Sequence, residues 1–322
     1  MSHSKTKEMK PVVSNTSLIV SLYNLADSVD SLYNSAVQTM KKVDSSFELV
    51  FVDDGSTDDT YEKLVAIAKK DRRVRVVKMR TTFGEAASLN AGLCYSKGER
   101  IVYLSGRVRV NPADIPKLIK TLENGVDLVV GRRFPRRDSL LNRLVSWGFN
   151  KMVGYLSKVK LHDINSGVLV TYRYVLERIS FYGDLYNFIP VLAAQQGYRV
   201  GEEKIEQLPG AFRTSRYPRE YLRRILDIVT VFFLTRYSKK PIHFLGFVGT
   251  IFIIIGAGIE IYLFIYRILA MGPIAGRPLL ILGALLLVIG IQMISIGLLG
   301  EMLIFTHAGD IEEYNIQEII NR

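Results

Sequence analysis

Cysteine is almost absent from this chain: Cys94 is the only one in 322 residues. A single thiol excludes an intrachain disulfide and any metal site built from several cysteines, and it suits a reducing compartment. Cys94 itself reads as a buried packing residue. Tryptophan is equally scarce, with Trp147 alone. Acidic residues are outnumbered, since 31 Asp and Glu face 42 Lys and Arg, leaving a formal charge of +11. That excess suits an anionic partner, whether nucleic acid, an acidic membrane face or a phosphorylated substrate, and charge alone does not choose among them. The first ten residues are polar and lack the apolar run of about 7–15 residues found in a secretory signal. The expectation is that the soluble part stays in the cytosol.

What is abundant is apolar sequence, and it is unevenly spread. With 48% hydrophobic and 23% charged residues, the chain is too apolar for a soluble domain alone and too charged to be wholly membrane-embedded. Between Thr16 and about Gln207, short apolar runs alternate with longer amphipathic segments, the rhythm of βα units around a largely parallel sheet. Strands are predicted over residues 17–22, 48–52, 74–79, 101–104 and 128–130. Helices are predicted over 28–40, 61–70, 85–95 and 112–122, with Pro112 in the first turn of the last. Ligands of such sheets bind at the carboxyl ends of the strands.

Residues 213–240 concentrate arginine and lysine yet keep helical apolar spacing, with Leu222, Ile225, Leu226, Val229, Phe232 and Phe233 on one face. A basic amphipathic helix beside a membrane span lies in the interface; packing against the soluble domain is the alternative. Two apolar stretches follow, 244–266 and 279–305, each long enough for the roughly 20 residues that cross a bilayer as a helix. The short connection at 270–277, with Gly272, Pro273 and Gly276, makes them an antiparallel hairpin. The basic run before the first span outweighs Arg267 and Arg277, so the hairpin tip is expected outside the cytosol and both outer flanks inside. Glu260 and Glu301 are costly carboxylates in or near these spans and imply a partner or a function. The organisation expected is a cytosolic domain over 1–212, an interface helix over 213–241, two transmembrane helices over 242–306 and a cytosolic tail over 307–322.

The chemistry gathers after the second strand, in Asp53-Asp54-Gly55-Ser56-Thr57-Asp58. Carboxylates at a strand's carboxyl end accept hydrogen bonds from a base edge or ribose hydroxyls, Gly55 permits the tight turn, and Ser56 or Thr57 can cap the next helix. On its own the pattern is equally a capped βα turn. Its context is specific: Tyr23-Asn24 precede it, and Phe83-Gly84-Glu85-Ala86-Ala87 with Leu89-Asn90-Ala91-Gly92 follow. Gly131-Arg132-Arg133, then Asp163 before Ser166-Gly167, then a hairpin ending in Gly297-Leu298-Leu299-Gly300-Glu301 complete the series. In that order the motifs resemble the polyisoprenyl-phosphate glycosyltransferases, inverting family 2 enzymes similar to dolichol-phosphate mannose synthase and bactoprenol glucosyltransferase. The resemblance covers nearly the whole chain. It implies a GT-A fold, a nucleotide-sugar donor held near Tyr23, Asp53, Asp54 and Gly55, and a polyprenyl-phosphate acceptor at the bilayer.

A lipid phosphate is already an anion at neutral pH, so transfer needs no strong base; it needs cations for the phosphates and donors for the leaving group. By the resemblance Arg133, Arg143, Arg213 and Arg216 fall at or near acceptor-phosphate positions, with Ser215 and Tyr217 beside the last two. Asp163, a candidate catalytic residue, either positions an acceptor or donor group or caps the turn at 165–167. Many other basic residues, Arg136 and Arg137 among them, read as a membrane-attracting surface.

Three departures separate the chain from the family pattern. Ser21-Leu22-Tyr23-Asn24-Leu25 stands for Pro-x-Tyr-Asn-Glu, losing a carboxylate. Ser105-Gly106-Arg107-Val108-Arg109 stands for Asp-x-Asp-x-Gln, so hard oxygen ligands are replaced by two cations. Gly167 is followed by Val168-Leu169 where the family has Phe-Arg. No cofactor is predicted, and magnesium or manganese is not expected at the usual site, with Arg107 and Arg109 in catalytic roles instead. Two readings stay open: an active transferase in which arginine replaces metal, and a catalytically silent relative that binds nucleotide, lipid phosphate or a partner protein. A processive polysaccharide synthase lacks its Gln-x-x-Arg-Trp signature here, and a nucleic-acid partner lacks a recognition motif. Homo-oligomerisation is compatible with the sequence.

Overall fold

The computed structural model describes residues 15–106, 110–135, 154, 161–164, 166–179, 183–208, 241–269, 272–273 and 277–307. The chain divides into two compact units, Met1–Val231 and Phe232–Arg322.

The first unit is built on a seven-stranded sheet in the order β3-β2-β1-β4-β6-β5-β7. Its strands are β1 (Thr16–Leu22), β2 (Phe47–Asp53), β3 (Val74–Lys78), β4 (Arg100–Ser105), β5 (Leu128–Arg133), β6 (Val168–Tyr172) and β7 (Val200–Ile205). The five predicted strands are β1 to β5. Strands β6 and β7 had no counterpart in the βα reading, and β6 runs antiparallel to both β4 and β5, while the other four pairings are parallel. Every residue of β1 and of β2 is buried, as expected of central strands covered on both faces.

Side-chain alternation divides the two faces. Leu18, Val20 and Leu22 join a core with α1 (Val29–Val43), α2 (Thr60–Lys70) and α4 (Ile115–Glu123). Ile19 points the other way, toward α3 (Glu85–Tyr95), where a Cβ on Gly92 would lie 2.2 Å from the Ile19 side chain. Only glycine lets α3 sit this close to the sheet. Pro112 opens a 3₁₀ turn, Pro112–Asp114, whose cap Asn111 accepts a hydrogen bond from the Ala113 amide at 3.1 Å. Short helices α5 (Arg173–Arg178) and α6 (Ile189–Gln195) follow β6.

Cys94 departs from expectation, for it is exposed. Ala86, Leu89 and Leu93 carry the buried stripe of α3, and the residue after Leu93 is turned about 100° away from it.

The second unit is a hairpin of α7 (Pro241–Ile268) and α8 (Pro278–His307). Both are long and apolar enough to cross a bilayer, and only 17% and 11% of their most apolar stretches are buried. The core helices of a soluble protein would show the reverse. The two helices meet through glycines: a Cβ on Gly249 would stand 2.6 Å from the Gly290 carbonyl, and one on Gly290 the same distance from that of Gly249. Small residues at such crossings let backbones approach, which is how helices associate where lipid removes the hydrophobic drive. Glu260 Oε1 lies against Gly283, where an added Cβ would be 2.5 Å away. That oxygen and Glu301 Oε2 are buried without a hydrogen-bond partner among the described residues. The predicted interface helix over 213–240 lies outside the described residues.

Candidate donor site

The carboxyl ends of β2, β1 and β4 lie side by side, and the acidic motif turns out of β2 there. Asp53 is fully buried. Its Oδ1 accepts from the Ser56 amide at 3.2 Å, whereas its Oδ2 is buried with no partner among the described residues. Asp54 turns to the neighbouring loop, and its carboxylate accepts from the amides of Phe83 at 2.7 Å and Gly84 at 3.0 Å. Gly55 has a φ of +73°, and a Cβ there would sit 2.6 Å from the Thr81 carbonyl carbon. The glycine is therefore required both by conformation and by the closeness of that backbone.

Asn24 closes the other side. Its side-chain oxygen accepts from the Thr57 backbone amide at 2.8 Å, and its backbone N–H donates to Ser56 Oγ at 3.0 Å. Tyr23 lines a shallow depression with Ser21, Leu22, Asp54, Glu85 and Ser88. The structure thus brings Tyr23 and Asp54 to one depression, with Asp53 and Gly55 in the adjoining turn.

Glu85, the first residue of α3, was a motif member in the sequence with no role attached. It collects hydroxyls from two strands: Ser21 Oγ and the Tyr103 hydroxyl donate to Oε2, and Ser105 Oγ donates to Oε1 at 2.7 Å. Burial above all, then the charges of Tyr186 and Glu85, pushes the Tyr103 phenol well above its ordinary range, so it remains a donor. Tyr186, edge-on to Tyr103 with ring centroids 5.4 Å apart, is raised too, again first by burial. The sequence signal available was a lone acid at a helix start, which ordinarily means only a favourable helix dipole.

Arg133 and Asp163, given different roles by the sequence, face one another. The guanidinium donates Nε to Asp163 Oδ2 at 2.7 Å and Nη2 to Oδ1 at 2.9 Å, and both side chains are buried. Glu202 on β7 supports the pair, accepting from the Asp163 amide at 2.9 Å and the His162 amide at 2.7 Å. A buried bidentate pair is costly to break, because it leaves one charge uncompensated. Arg107, Arg109, Arg143, Arg213 and Arg216 lie outside the described residues.

A mainly parallel sheet with an acidic turn at its strand ends is an α/β domain of the kind that takes ligands at those ends, and its folding pattern is of the GT-A type. Residues 17–179 match glycosyl transferase family 2, and the chain belongs to that family. It is 31% identical over 300 residues to the dodecaprenyl-phosphate galacturonate synthase of Rhizobium johnstonii, covering 91% of this chain and 89% of the relative. It is 26% identical to the undecaprenyl-phosphate 4-deoxy-4-formamido-L-arabinose transferase of Photorhabdus laumondii, covering 96% and 95%. Among solved structures, mannosyl-3-phosphoglycerate synthase from Rubrobacter xylanophilus superposes with a TM-score of 0.53 at 13% identity, over 68% of this chain and 74% of that one. At that identity the likeness speaks for the fold alone.

Proposed function

We propose that this protein is a membrane glycosyltransferase that moves a sugar from a nucleotide-sugar donor to a polyprenyl phosphate. The observation that carries the donor half is Asp53. A buried carboxylate oxygen without a partner among the described residues, at the carboxyl end of a central strand, suits an N–H or hydroxyl of a bound nucleoside. The acceptor half is supported by the two polyprenyl-phosphate relatives, which align over nearly the full chain, and by the apolar hairpin.

In the proposed reaction an oxygen of the lipid phosphate attacks the anomeric carbon. A new carbon–oxygen bond forms as the bond to the donor's β-phosphate breaks, and the nucleoside diphosphate leaves with the electron pair. The nucleophile is already deprotonated, so the protein's task is to orient two anions and to balance the charge that grows on the leaving group. Arg107 and Arg109 are the groups proposed for that balance, in place of a divalent metal. Arg143, Arg213 and Arg216 are proposed to draw the acceptor phosphate to the domain. Arg133 is proposed to contribute from its pairing with Asp163.

The test is transfer of labelled sugar onto undecaprenyl phosphate in detergent, from a panel of uridine and guanosine diphosphate sugars that includes galacturonate and 4-formamido-arabinose. Transfer from one or more donors is expected. Nucleotide binding without transfer from any of them would favour the silent relative, a reading that rests on the loss of the Asp-x-Asp carboxylates.

The proposed topology sets both flanks of the hairpin in the cytosol and its tip outside, because the basic run precedes the first span and the spans are even in number. Ala275→Cys on a Cys94→Ser background should react with a membrane-impermeant maleimide from the non-cytosolic side only. Labelling from the cytosolic side would reverse the orientation. The Cys94 replacement is necessary because that thiol is exposed.

A further inference from the structure

We infer that Glu85 is a positioning residue of the donor site, linking the nucleoside end of the depression to the end that receives the diphosphate; the inference rests on the donor reading above. Ser21 and Ser105 are register partners on adjacent strands β1 and β4, and Tyr103, two residues before Ser105, shares its face of the sheet. These three hydroxyls come from two separate strands, and all converge on one carboxylate at the start of a helix. Just beyond Ser105, the Gly106 amide donates to the Ser21 carbonyl at 2.8 Å. A Cβ at Gly106 would lie 2.4 Å from that same carbonyl oxygen. The chain therefore crosses the end of β1 in close contact before it enters Arg107-Val108-Arg109.

On the other side, Asp54 holds the amides of Phe83 and Gly84, the two residues preceding Glu85. A continuous linkage results: the acidic turn holds the loop, the loop presents Glu85, and Glu85 holds the last residues before the arginine pair. A helix-capping acid would need none of the three hydroxyl partners; all three are buried, and although Tyr103 and Ser21 also meet at 2.8 Å, one proton of that pair and the Ser105 hydroxyl still require an acceptor, which Glu85 supplies. Loss of the linkage should loosen the diphosphate end and leave the nucleoside end alone.

Titration of the full-length protein in detergent with nucleoside diphosphate and monophosphate of the same base tests this. Glu85→Gln keeps the size and one acceptor oxygen, and Ser105→Ala removes the opposing hydroxyl without touching the helix. Each should weaken diphosphate affinity about 10- to 150-fold, the worth of one hydrogen bond to a charged group, and change monophosphate affinity less than about two-fold. The double variant should fall short of the sum of the two singles, because both act on the Glu85–Ser105 contact. Equal losses for both nucleotides, additive losses, or wild-type affinities in both singles would overturn the inference. Wild-type protein that binds neither nucleotide would overturn the donor reading itself.

Discussion

Arg107→Ala is expected to lower the rate of sugar transfer about 30- to 1000-fold, corresponding to roughly 2–4 kcal/mol of transition-state stabilisation from a group that meets developing charge. At 105–109 stand Ser, Gly, Arg, Val and Arg, where the pattern the sequence resembles has Asp-x-Asp-x-Gln. Ser105 is engaged by Glu85, and Gly106 by Ser21, so the chain is anchored on both sides immediately before Arg107. A guanidinium is planar, permanently charged and able to grip a phosphate with two parallel hydrogen bonds, which lets it replace the charge of a metal at a leaving diphosphate. The same substitution implies that a chelator should leave the wild-type rate within about two-fold, whereas enzymes that use a metal at the leaving group stop. Rates measured with excess chelator, and again after Arg107→Ala, check both halves. Arrest by chelator with rescue by magnesium or manganese would overturn metal independence. An unchanged rate in Arg107→Ala would remove this arginine from the mechanism.

The second large effect should come from Asp53→Asn, with a loss of about 10- to 100-fold in affinity for the donor nucleotide. Asp53 Oδ1 is occupied by the Ser56 amide, so the asparagine oxygen should keep that contact and turn its NH₂ to the place of Oδ2. A donor then stands where the ligand's own donor needs an acceptor. The fold should lose little, because Oδ2 has no partner among the described residues. Asp54→Asn makes the contrast. Its carboxylate holds the Phe83 and Gly84 amides, so that variant should lower the melting temperature as well as affinity. Calorimetric titration beside thermal unfolding separates the two. Normal affinity in Asp53→Asn would move the nucleoside pocket elsewhere.

Strands β1, β2, β4 and β5 were legible because they are short apolar runs bounded by amphipathic helices, and central strands must be apolar on both faces; edge strand β3 was legible because three of its five residues are valine. Strand β7 was not. Val200-Gly201-Glu202-Glu203-Lys204-Ile205 is mostly part-exposed at the sheet's edge, where charge protects against unwanted pairing and erases the apolar signal. Strand β6 is apolar, but its direction reverses the βα rhythm, and no local pattern announces that a chain will enter between two existing strands. Cys94, expected to be buried, is exposed because the helical period of α3 turns it away from the buried stripe.

By itself the sequence determined the α/β class, the acidic turn after β2 and the two apolar helices, since each depends on residues close together in the chain or on the length of an uninterrupted apolar run. Tertiary structure alone decided the partnerships across distance. Arg133 and Asp163 are 30 residues apart, and Glu85 meets hydroxyls 64 and 20 residues away. It also decided that Asp53 keeps a carboxylate oxygen free of protein partners among the described residues while its neighbour Asp54 is committed to a loop. Two adjacent and identical side chains carry no local difference to read; successive residues leaving a strand point in opposite directions, and only the packed neighbours determine what each one meets.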